Sequence, residues 1–440
     1  MKTLIIFTSM ALSLMGFAGG GGSSSGGGGS SSSGGGSSFS GGSSYSSSHS
    51  SSHSSSDYDG DPNFRDFLFA ITVISFVFMS VYLVNKYTVS EKKAKPLSAG
   101  EKGQMIASLT NTDYNKTEQE KWIHEEAERI FVFYQEDWGN FNYKRIQNYT
   151  TDRYYQHACL MLDAIGRMNR KNVVSDLSVH KVCLFTEVGE HPKLPMSVLT
   201  MIKFSGVDEI VDSKTEKTIY KDRASGIVEF WRFIYDGKTL KLEEISQSTE
   251  SSPHLVENIE KFANDNRLFY SPDWGRLALP TDGLIFNEAG LYSADVNNHV
   301  IGRWRNALVQ LYTYSEKPDV PDSYYLVGQI NVPKEYKGVI IESKEAKIKI
   351  KKPYAYQSFK MEWNDFNDRY EVYAASEDSL TAFELLNPSF MERLYERNLP
   401  YTLEVVGNTI CFFANVSEAR EEDYAELFDV LTEAFEELKM

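Results

Sequence analysis

The chain has 440 residues, of which 41% are hydrophobic, and its formal net charge is −16 at pH 7. This length allows two or three domains. So acidic a surface repels phosphate backbones, which excludes nucleic acid as a partner. The three cysteines, Cys159, Cys183 and Cys411, are odd in number and far apart, which predicts reduced thiols and excludes a disulfide framework or a zinc-ligand spacing.

The first 18 residues predict a secretory signal peptide. Lys2 precedes an apolar run from Leu4 to Leu14, and Gly16 and Ala18 supply the small residues expected before a cleavage site. Residues 19–63 form a tail rich in Gly and Ser. Such a tail buries too little apolar surface to offset the entropy cost of ordering, so we expect a flexible coil.

Residues 64–86 predict one transmembrane helix. Phe67–Val84 contains no charged residue and, at 1.5 Å per residue, spans about 27 Å, enough to cross a bilayer. Aspartates precede this segment and four lysines follow it closely. Because positive flanks stay in the cytoplasm, we expect a single-pass protein of a bacterial cell membrane. The Gly/Ser tail would lie outside the cell, with a tether over 87–116 and the remaining chain in the cytoplasm.

Residues 117–250 predict an α+β domain. Thr117 and Glu120 form a capping-box pattern at the start of a long helix, and a second long helix starts at Thr150 or Thr151. Three long segments with strand character follow. Within the last of them, Asp236-Gly237 separates two apolar runs, which predicts a two-residue hairpin loop. Helices followed by a strand meander predict helices packed on the concave face of a curved antiparallel sheet.

The segment "FWRFIYDGKTLKLEEISQS", preceded by these helices, resembles the carboxy-terminal domain of the mitochondrial import-motor tether family, on the matrix side of the inner-membrane translocase. The resemblance covers about residues 117–250 and implies a cone-shaped fold akin to nuclear transport factor and small steroid isomerases. Leu240 or Leu242 stands where the family usually has a tryptophan, and a transmembrane segment replaces the family's chaperone-contacting helices. The resemblance therefore does not extend to chaperone recruitment.

This resemblance implies an apolar pocket between the helices and the sheet, suited to a lipid tail or a peptide segment, or filled by the protein itself. The candidate pocket-lining residues are large side chains of the two long helices and the last strand segment: Trp122, Ile130, Phe131, Tyr134, Tyr154, Tyr155, Leu162, Phe230 and Trp231. The alternative for aromatic stripes at helical spacing is ordinary core packing.

The candidate general acid–base residues of this domain are His157, Asp163 and His180. No pair of them has a spacing that indicates a catalytic arrangement, and we expect no catalytic residue. The chain contains no phosphate-binding loop, dinucleotide fingerprint, zinc ligand set or nucleophile elbow. We therefore expect no cofactor and no metal.

A Pro/Gly-punctuated stretch over 251–283 predicts a linker to a second α+β domain over 284–440. Asn387-Pro388 predicts a capped helix start, the segment "VVGNTI" predicts a Gly-Asn hairpin, and an acidic amphipathic helix ends the sequence. The order "W-x-x-F-N-x-x-Y-x-V-Y" then "LLNPSFMERL" resembles a bacterial domain of unknown function that recurs with membrane anchors. His299 has no metal-ligand partner at a suitable spacing, which favours a structural role.

Together these features predict a non-enzymatic, membrane-anchored binding module. The first domain would bind lipid or membrane-protein segments, and the second an unidentified protein partner. Two alternatives stay open: an envelope scaffold with a closed pocket, and an enzyme acting on a lipid-like substrate.

Overall fold

The computed structural model of the protein describes residues 104–105, 117–247, 256–272, 275–286, 291, 295–316, 324–346, 350–416 and 421–438. The predicted signal peptide, Gly/Ser tail and transmembrane helix lie outside the described residues, as does most of the tether. Within the described ranges, no helix is long and apolar enough to cross a membrane. All described residues belong to one compact unit within 98–440.

Three helices open the fold: α1 (Glu118–Gly139), α2 (Tyr143–Tyr149) and α3 (Asp152–Arg167). The predicted capping box is confirmed, because Thr117 Oγ1 accepts from Glu120 N at 3.1 Å and Thr117 N donates to Glu120 Oε2 at 3.1 Å. Of the two predicted starts for the second long helix, Thr151 is the N-cap, and its hydroxyl accepts from Tyr154 N at 3.3 Å.

The first sheet is an antiparallel meander of four strands: β1 (Arg170–Leu184), β2 (Met196–Asp212), β3 (Thr218–Tyr235) and β4 (Leu240–Gln247). The register is irregular between β1 and β2, and also between β2 and β3 near Phe204 and Gly206. Such β-bulges bend strands and increase their twist. One face of the sheet packs against α1–α3 in a shared apolar cluster. The predicted α+β class, with helices on an antiparallel sheet, is confirmed.

The hairpin predicted at Asp236-Gly237 joins β3 to β4, but its loop has four residues, 236–239. The Asp236 carboxylate accepts from Lys238 N at 2.8 Å and from Thr239 N at 2.7 Å. These bonds stabilise the charged form and lower the pKa of Asp236 to about 2. Gly237 has a φ of +96°, which only glycine adopts readily. The loop is longer than predicted because the Asp236 side chain caps the backbone of the turn. The Asp-Gly pattern for two-residue loops does not account for this capping.

The segment predicted as a linker, 251–283, contains regular structure. It holds helix α4 (Val256–Asp265), strand β5 (Phe269–Ser271) and a 3₁₀ turn (Gly275–Ala278). Strand β5 pairs with the first long strand of the second sheet, and α4 buries Ile259 and Phe262 in the core of that sheet. Apolar burial therefore outweighs the breaking tendency of the prolines and glycines.

The second sheet follows the order β5-β6-β7-β8-β10-β9, and β11 pairs with β8. Its further strands are β6 (Asp295–Trp304), β7 (Ala307–Ser315), β8 (Tyr325–Ser343), β9 (Tyr356–Phe359), β10 (Tyr370–Ala375) and β11 (Thr402–Asn415). Strand β8 is continuous over 19 residues and runs through Pro333.

The Gly-Asn hairpin predicted in "VVGNTI" is wrong. Both halves of β11 pair with β8, Val405 opposite Val339 and Thr409 opposite Asn331, so the chain bends at a bulge and does not reverse. Gly407 lies at that bulge with a φ of +55°. A turn-forming dipeptide also suits a bulge, and only the pairing with β8 distinguishes the two.

Four more helices cover the second sheet: α5 (Asn364–Arg369), α6 (Ser379–Leu385), α7 (Pro388–Arg397) and α8 (Asp423–Leu438). The predicted cap of α7 is confirmed, since Asn387 Oδ1 accepts from Phe390 N at 3.0 Å. Helix α8 buries Tyr424, Leu427 and Leu431. It lies so close to the sheet that a Cβ at Gly328 would be 2.1 Å from a methyl group of Leu427.

The two sheets share apolar clusters. Ile301 and Leu308 of the second sheet pack into the cluster built by α1–α3 and the first sheet. Conversely, Ile210 and Tyr220 of the first sheet belong to a cluster that is otherwise formed by the second sheet and by residues before β6. The candidate site lies at this junction.

Candidate ligand-binding cavity

A cavity of about 420 Å³ lies between α1, the first sheet, the 3₁₀ turn and the start of β6. Its wall contains Gly206 and nine aromatic or aliphatic residues: Tyr134, Trp138, Val174, Phe204, Ala224, Ile227, Ile245, Leu277 and Val296. Eight polar or charged residues complete it: Gln135, Asn172, Asp208, Tyr220, Asp222, Glu229, Arg276 and Asn297. Asp222 and Arg276 are exposed and mark the mouth. This volume falls within the usual range for small-molecule sites.

The aromatic part of the wall is rigidly packed. Tyr134 and Trp138 lie one turn apart on α1 with ring centroids 5.6 Å apart. The ring of Trp231 packs edge-on against Tyr134 at 5.5 Å, and Tyr154 OH donates to Tyr134 OH at 3.0 Å. Burial raises the pKa of the Tyr134 hydroxyl well above its ordinary value. This wall therefore presents neutral, apolar surface to a ligand.

Two of the three carboxylates in the cavity wall face each other across neighbouring strands. Asp208 of β2 is the direct register partner of Asp222 of β3. Asn172 Nδ2 donates to Asp208 Oδ1 at 2.5 Å. Burial is the main reason that the pKa of Asp208 is raised, and the charge of Asp222 adds to it, while the bond from Asn172 and the charge of Arg276 oppose it.

Glu229 supplies the third carboxylate. Protein surrounds the Glu229 side chain except on the side of the cavity. Solvent reaches it from that side, so Glu229 is half-buried. Trp231 Nε1 donates to Glu229 Oε2 at 2.9 Å. Desolvation raises the pKa of Glu229 to about 7, with the bond from Trp231 opposing and the charge of Asp208 adding to the shift. Glu229 therefore changes charge near neutral pH.

One guanidinium, that of Arg276 in the 3₁₀ turn, faces this acidic wall. It lowers the pKa of Tyr220 through a hydrogen bond and its charge, although burial keeps that pKa above its ordinary value. Three carboxylates therefore share the cavity wall with one cation. The cavity combines an aromatic wall with an excess of acidic groups.

Of the nine residues predicted to line a pocket, Tyr134 lies in the cavity wall. Five others are buried in the core between the helices and the first sheet: Ile130, Phe131, Tyr154, Leu162 and Trp231. Phe230 is buried too, but it neighbours Trp231 in β3, so its side chain points to the other face of the sheet. Tyr155 is half-buried at the edge of the same cluster.

Trp122 lies far from the cavity. It is 37% exposed and packs near Tyr235, with ring centroids 5.8 Å apart. Twelve residues, or about 18 Å of helix, separate it from Tyr134. The helical spacing of Ile130, Phe131 and Tyr134 correctly indicated the buried face of α1. Helical spacing does not show which end of that face borders a cavity.

The acid–base candidates lie outside the cavity wall. His157 is buried and stacks on Phe269 with ring centroids 5.2 Å apart. Asp163 accepts from Tyr143 OH at 3.2 Å and lies 3.6 Å from Arg303. His180 is exposed and contacts Ser205 Oγ at 2.6 Å. These contacts bring no two of the three together.

His299 is fully buried in the second sheet, where Nε2 is 2.9 Å from Gln310 Oε1. Burial lowers its pKa to about 4, which keeps the ring neutral. No group of three or more His, Cys, Asp or Glu residues suited to a metal ion occurs among the described residues.

Sequence reasoning missed the carboxylates of the cavity. Asp208 and Glu229 lie on segments predicted as strands, whereas Asp222 lies just before the last of these segments. The common location of the three depends on the irregular register of β2 and β3. The available signal was period two: Ile227, Glu229 and Trp231 alternate in β3, which places a glutamate on the same face as core residues. A charge on a core face is a marker of a functional site.

The protein is thus a mixed α+β protein with helices on antiparallel sheets and a cavity large enough for a small-molecule ligand. Residues 326–417 match the family described as "Protein of unknown function (DUF3137)". This match supports the resemblance of the second predicted domain to a domain of unknown function. The mitochondrial tether resemblance receives no support.

No curated protein sequence matches the chain. Among solved structures, the crystal structure of the mycobacterial trehalose monomycolate transport factor A, TtfA, aligns with a TM-score of 0.32 and 12% identity. The alignment covers 43% of this chain and 96% of that chain. A similarity at this TM-score carries no functional inference for the present protein.

Proposed function

We propose that the protein is a non-enzymatic binding module whose cavity takes an amphipathic ligand, a lipid or a segment of a membrane protein. The observation that carries this proposal is the cavity of about 420 Å³ with an aromatic wall on one side and charged groups at its mouth. Apolar surface supplies affinity, and a few polar groups fix the ligand's orientation. On this proposal the first sheet and its helices form a cone of the nuclear-transport-factor type.

The proposal includes a membrane anchor over residues 64–86, with the remaining chain at the cytoplasmic face of a bacterial membrane. The uncharged stretch Phe67–Val84 and the lysines after it support this orientation. Anchoring holds a weak binder close to membrane-associated ligands, so that effective concentration compensates for modest affinity. The second sheet and its helices would contact a protein partner.

Glu229 supports a second candidate, an enzyme acting on a lipid-like substrate. A carboxylate with a pKa of about 7 facing a cavity is suited to general acid–base chemistry. Binding is preferred because the described residues of the cavity wall include no histidine, cysteine or serine that could act with it. Conversion of a bound ligand by the native protein, abolished in Glu229→Gln, would favour the enzyme.

Filling the cavity tests the proposal. Ala224 lies in the cavity wall, and its neighbour Ser225 is exposed. We expect a ligand with a mass in the range of lipids to co-purify with the native 95–440 fragment and with its Ser225→Phe variant. The Ala224→Phe variant should lose this ligand, because the new ring fills part of the cavity. Native mass spectrometry measures the bound mass, and circular dichroism checks that all three fragments fold. Equal ligand in both variants, or none in the native fragment after incubation with membrane lipids, contradicts the proposal.

A further inference from the structure

We infer that the ligand of the cavity carries an ammonium group, which lies among the carboxylates of Asp208, Asp222 and Glu229 while its apolar part packs against the aromatic wall. This inference rests on the proposed function and specifies the chemistry of the ligand.

The wall of the cavity carries more negative than positive groups. Three carboxylates and one guanidinium line the same cavity, so the ionised wall has an excess of two negative charges. Like charges directly opposite each other on neighbouring strands are destabilising, and Asp208 and Asp222 are such a pair. A local conflict of this kind is expected where a site is built for a ligand. A cationic ligand would relieve it.

The aromatic wall also favours a cationic ligand. Trp138, Tyr134 and Phe204 line the cavity together with the carboxylates. The faces of aromatic rings attract ammonium groups, and the attraction increases where water is excluded. Among the described residues of the wall, the one cation that an anionic ligand would meet is Arg276, which lies at the exposed mouth. The arrangement therefore discriminates against carboxylate-headed and phosphate-headed ligands of the same length.

The volume of the cavity limits the size of the probe molecules. A volume of 420 Å³ corresponds to about 14 water molecules at roughly 30 Å³ each. Hexylammonium, hexanol and hexanoate are all smaller than this volume, have six carbon atoms each and differ in the charge of the head group. They separate the contribution of charge from that of the chain.

The acidity of Glu229 gives an independent readout. The titratable or charged groups that influence it, or share the cavity with it, are Tyr134 and Tyr154 from the helices, Asp208 from β2, Tyr220 and Asp222 from β3, and Arg276. Because its pKa is about 7, Glu229 gains its negative charge between pH 6 and 8. Hexylammonium stays cationic over this range, so its affinity should rise with pH, while the affinity for hexanol should not change.

Isothermal titration of the full chain in phosphatidylcholine nanodiscs, with empty nanodiscs as the blank, tests the inference. We expect hexylammonium to bind at least tenfold more tightly than hexanol at pH 8, and hexanoate to bind most weakly. Glu229→Gln should weaken hexylammonium binding at least fivefold and leave hexanol binding unchanged. Glu190→Gln, a change at an exposed position outside the cavity, should have no effect. Asp222→Asn at the exposed mouth repeats the test if Glu229→Gln does not fold.

The outcomes separate the two proposals. If hexanol or hexanoate binds as tightly as hexylammonium and Ala224→Phe abolishes this binding, the ammonium inference is wrong and the binding-module proposal stands. If none of the three probes binds to the folded chain, the cavity is not a site for amphipathic ligands, and both fail.

Discussion

At the scale of single residues, the ionisation of Glu229 in the cavity wall makes the stability of the protein depend on pH. Its carboxylate has a pKa of about 7 in the folded protein, against about 4.3 for an exposed glutamate. The folded state therefore holds a proton that the unfolded state releases between these two pH values. By linkage, the stability contributed by this group is highest below about pH 4, falls as the pH rises, and is lowest above about pH 7.

We therefore expect Glu229→Gln to stabilise the protein at pH 8 by about 3–4 kcal/mol and to leave its stability nearly unchanged at pH 4, because glutamine cannot ionise. Urea unfolding of both proteins at the two pH values measures the difference. Glu190→Gln should have the same free energy of unfolding as the native protein at both pH values. A stabilisation of equal size at pH 4 would show that the effect comes from packing and not from ionisation.

At the scale of elements, β8 is continuous because a side chain satisfies its backbone where it bends. Asp378 is buried, and its Oδ2 accepts from Lys337 N and, at 2.7 Å, from Gly338 N. Gly338 has a φ of +147°. The bend lets β8 pair with β7 in its first half and with β10 in its second half.

Asp378→Ala should destabilise the protein by about 1–3 kcal/mol, since two backbone N–H groups lose their acceptor. Thermal unfolding measures the loss. Asp368→Ala is the matched control, because Asp368 is exposed on α5. Equal stability of the two variants would mean that solvent replaces Asp378 at the bend.

At the scale of the whole molecule, polar bonds tie both sheets to the segment 278–281, in addition to the shared apolar clusters. Arg170 of β1 is buried and donates to Leu279 O at 2.5 Å and to Thr281 Oγ1 at 3.3 Å. Gln329 of β8 donates to Ala278 O at 3.0 Å. Burial lowers the pKa of Arg170 to about 10, which still leaves it charged at neutral pH.

Arg170→Ala should lower stability by about 2–4 kcal/mol, because it removes bonds from a buried charged group to two acceptors. It should also broaden chemical unfolding, because the contact between the sheets weakens. Fluorescence and far-ultraviolet circular dichroism, compared along one urea titration, detect this change. Lys171→Ala removes an exposed ion pair to Glu216 and should change stability by less than about 1 kcal/mol. A sharp, unshifted transition in Arg170→Ala would contradict this role.

The sequence by itself determined the features that depend on a few neighbouring residues. The cap at Thr117, the Asn387-Pro388 helix start, the buried stripe of α1 and the position of the β3–β4 hairpin follow from side chains within about one turn of each other. Local hydrogen bonding and helical periodicity fix such features before the chain meets any distant segment.

Only the tertiary structure decided the path of β11, the incorporation of α4 and β5 into the second sheet, and the composition of the cavity. The cavity brings together Tyr134, Asp208, Glu229 and Arg276 from four elements spread over more than 140 residues of chain. Their meeting depends on a bulged strand register and on apolar clusters shared by the two sheets. Such long-range contacts are set by how the whole chain buries its apolar surface, and no local pattern encodes them.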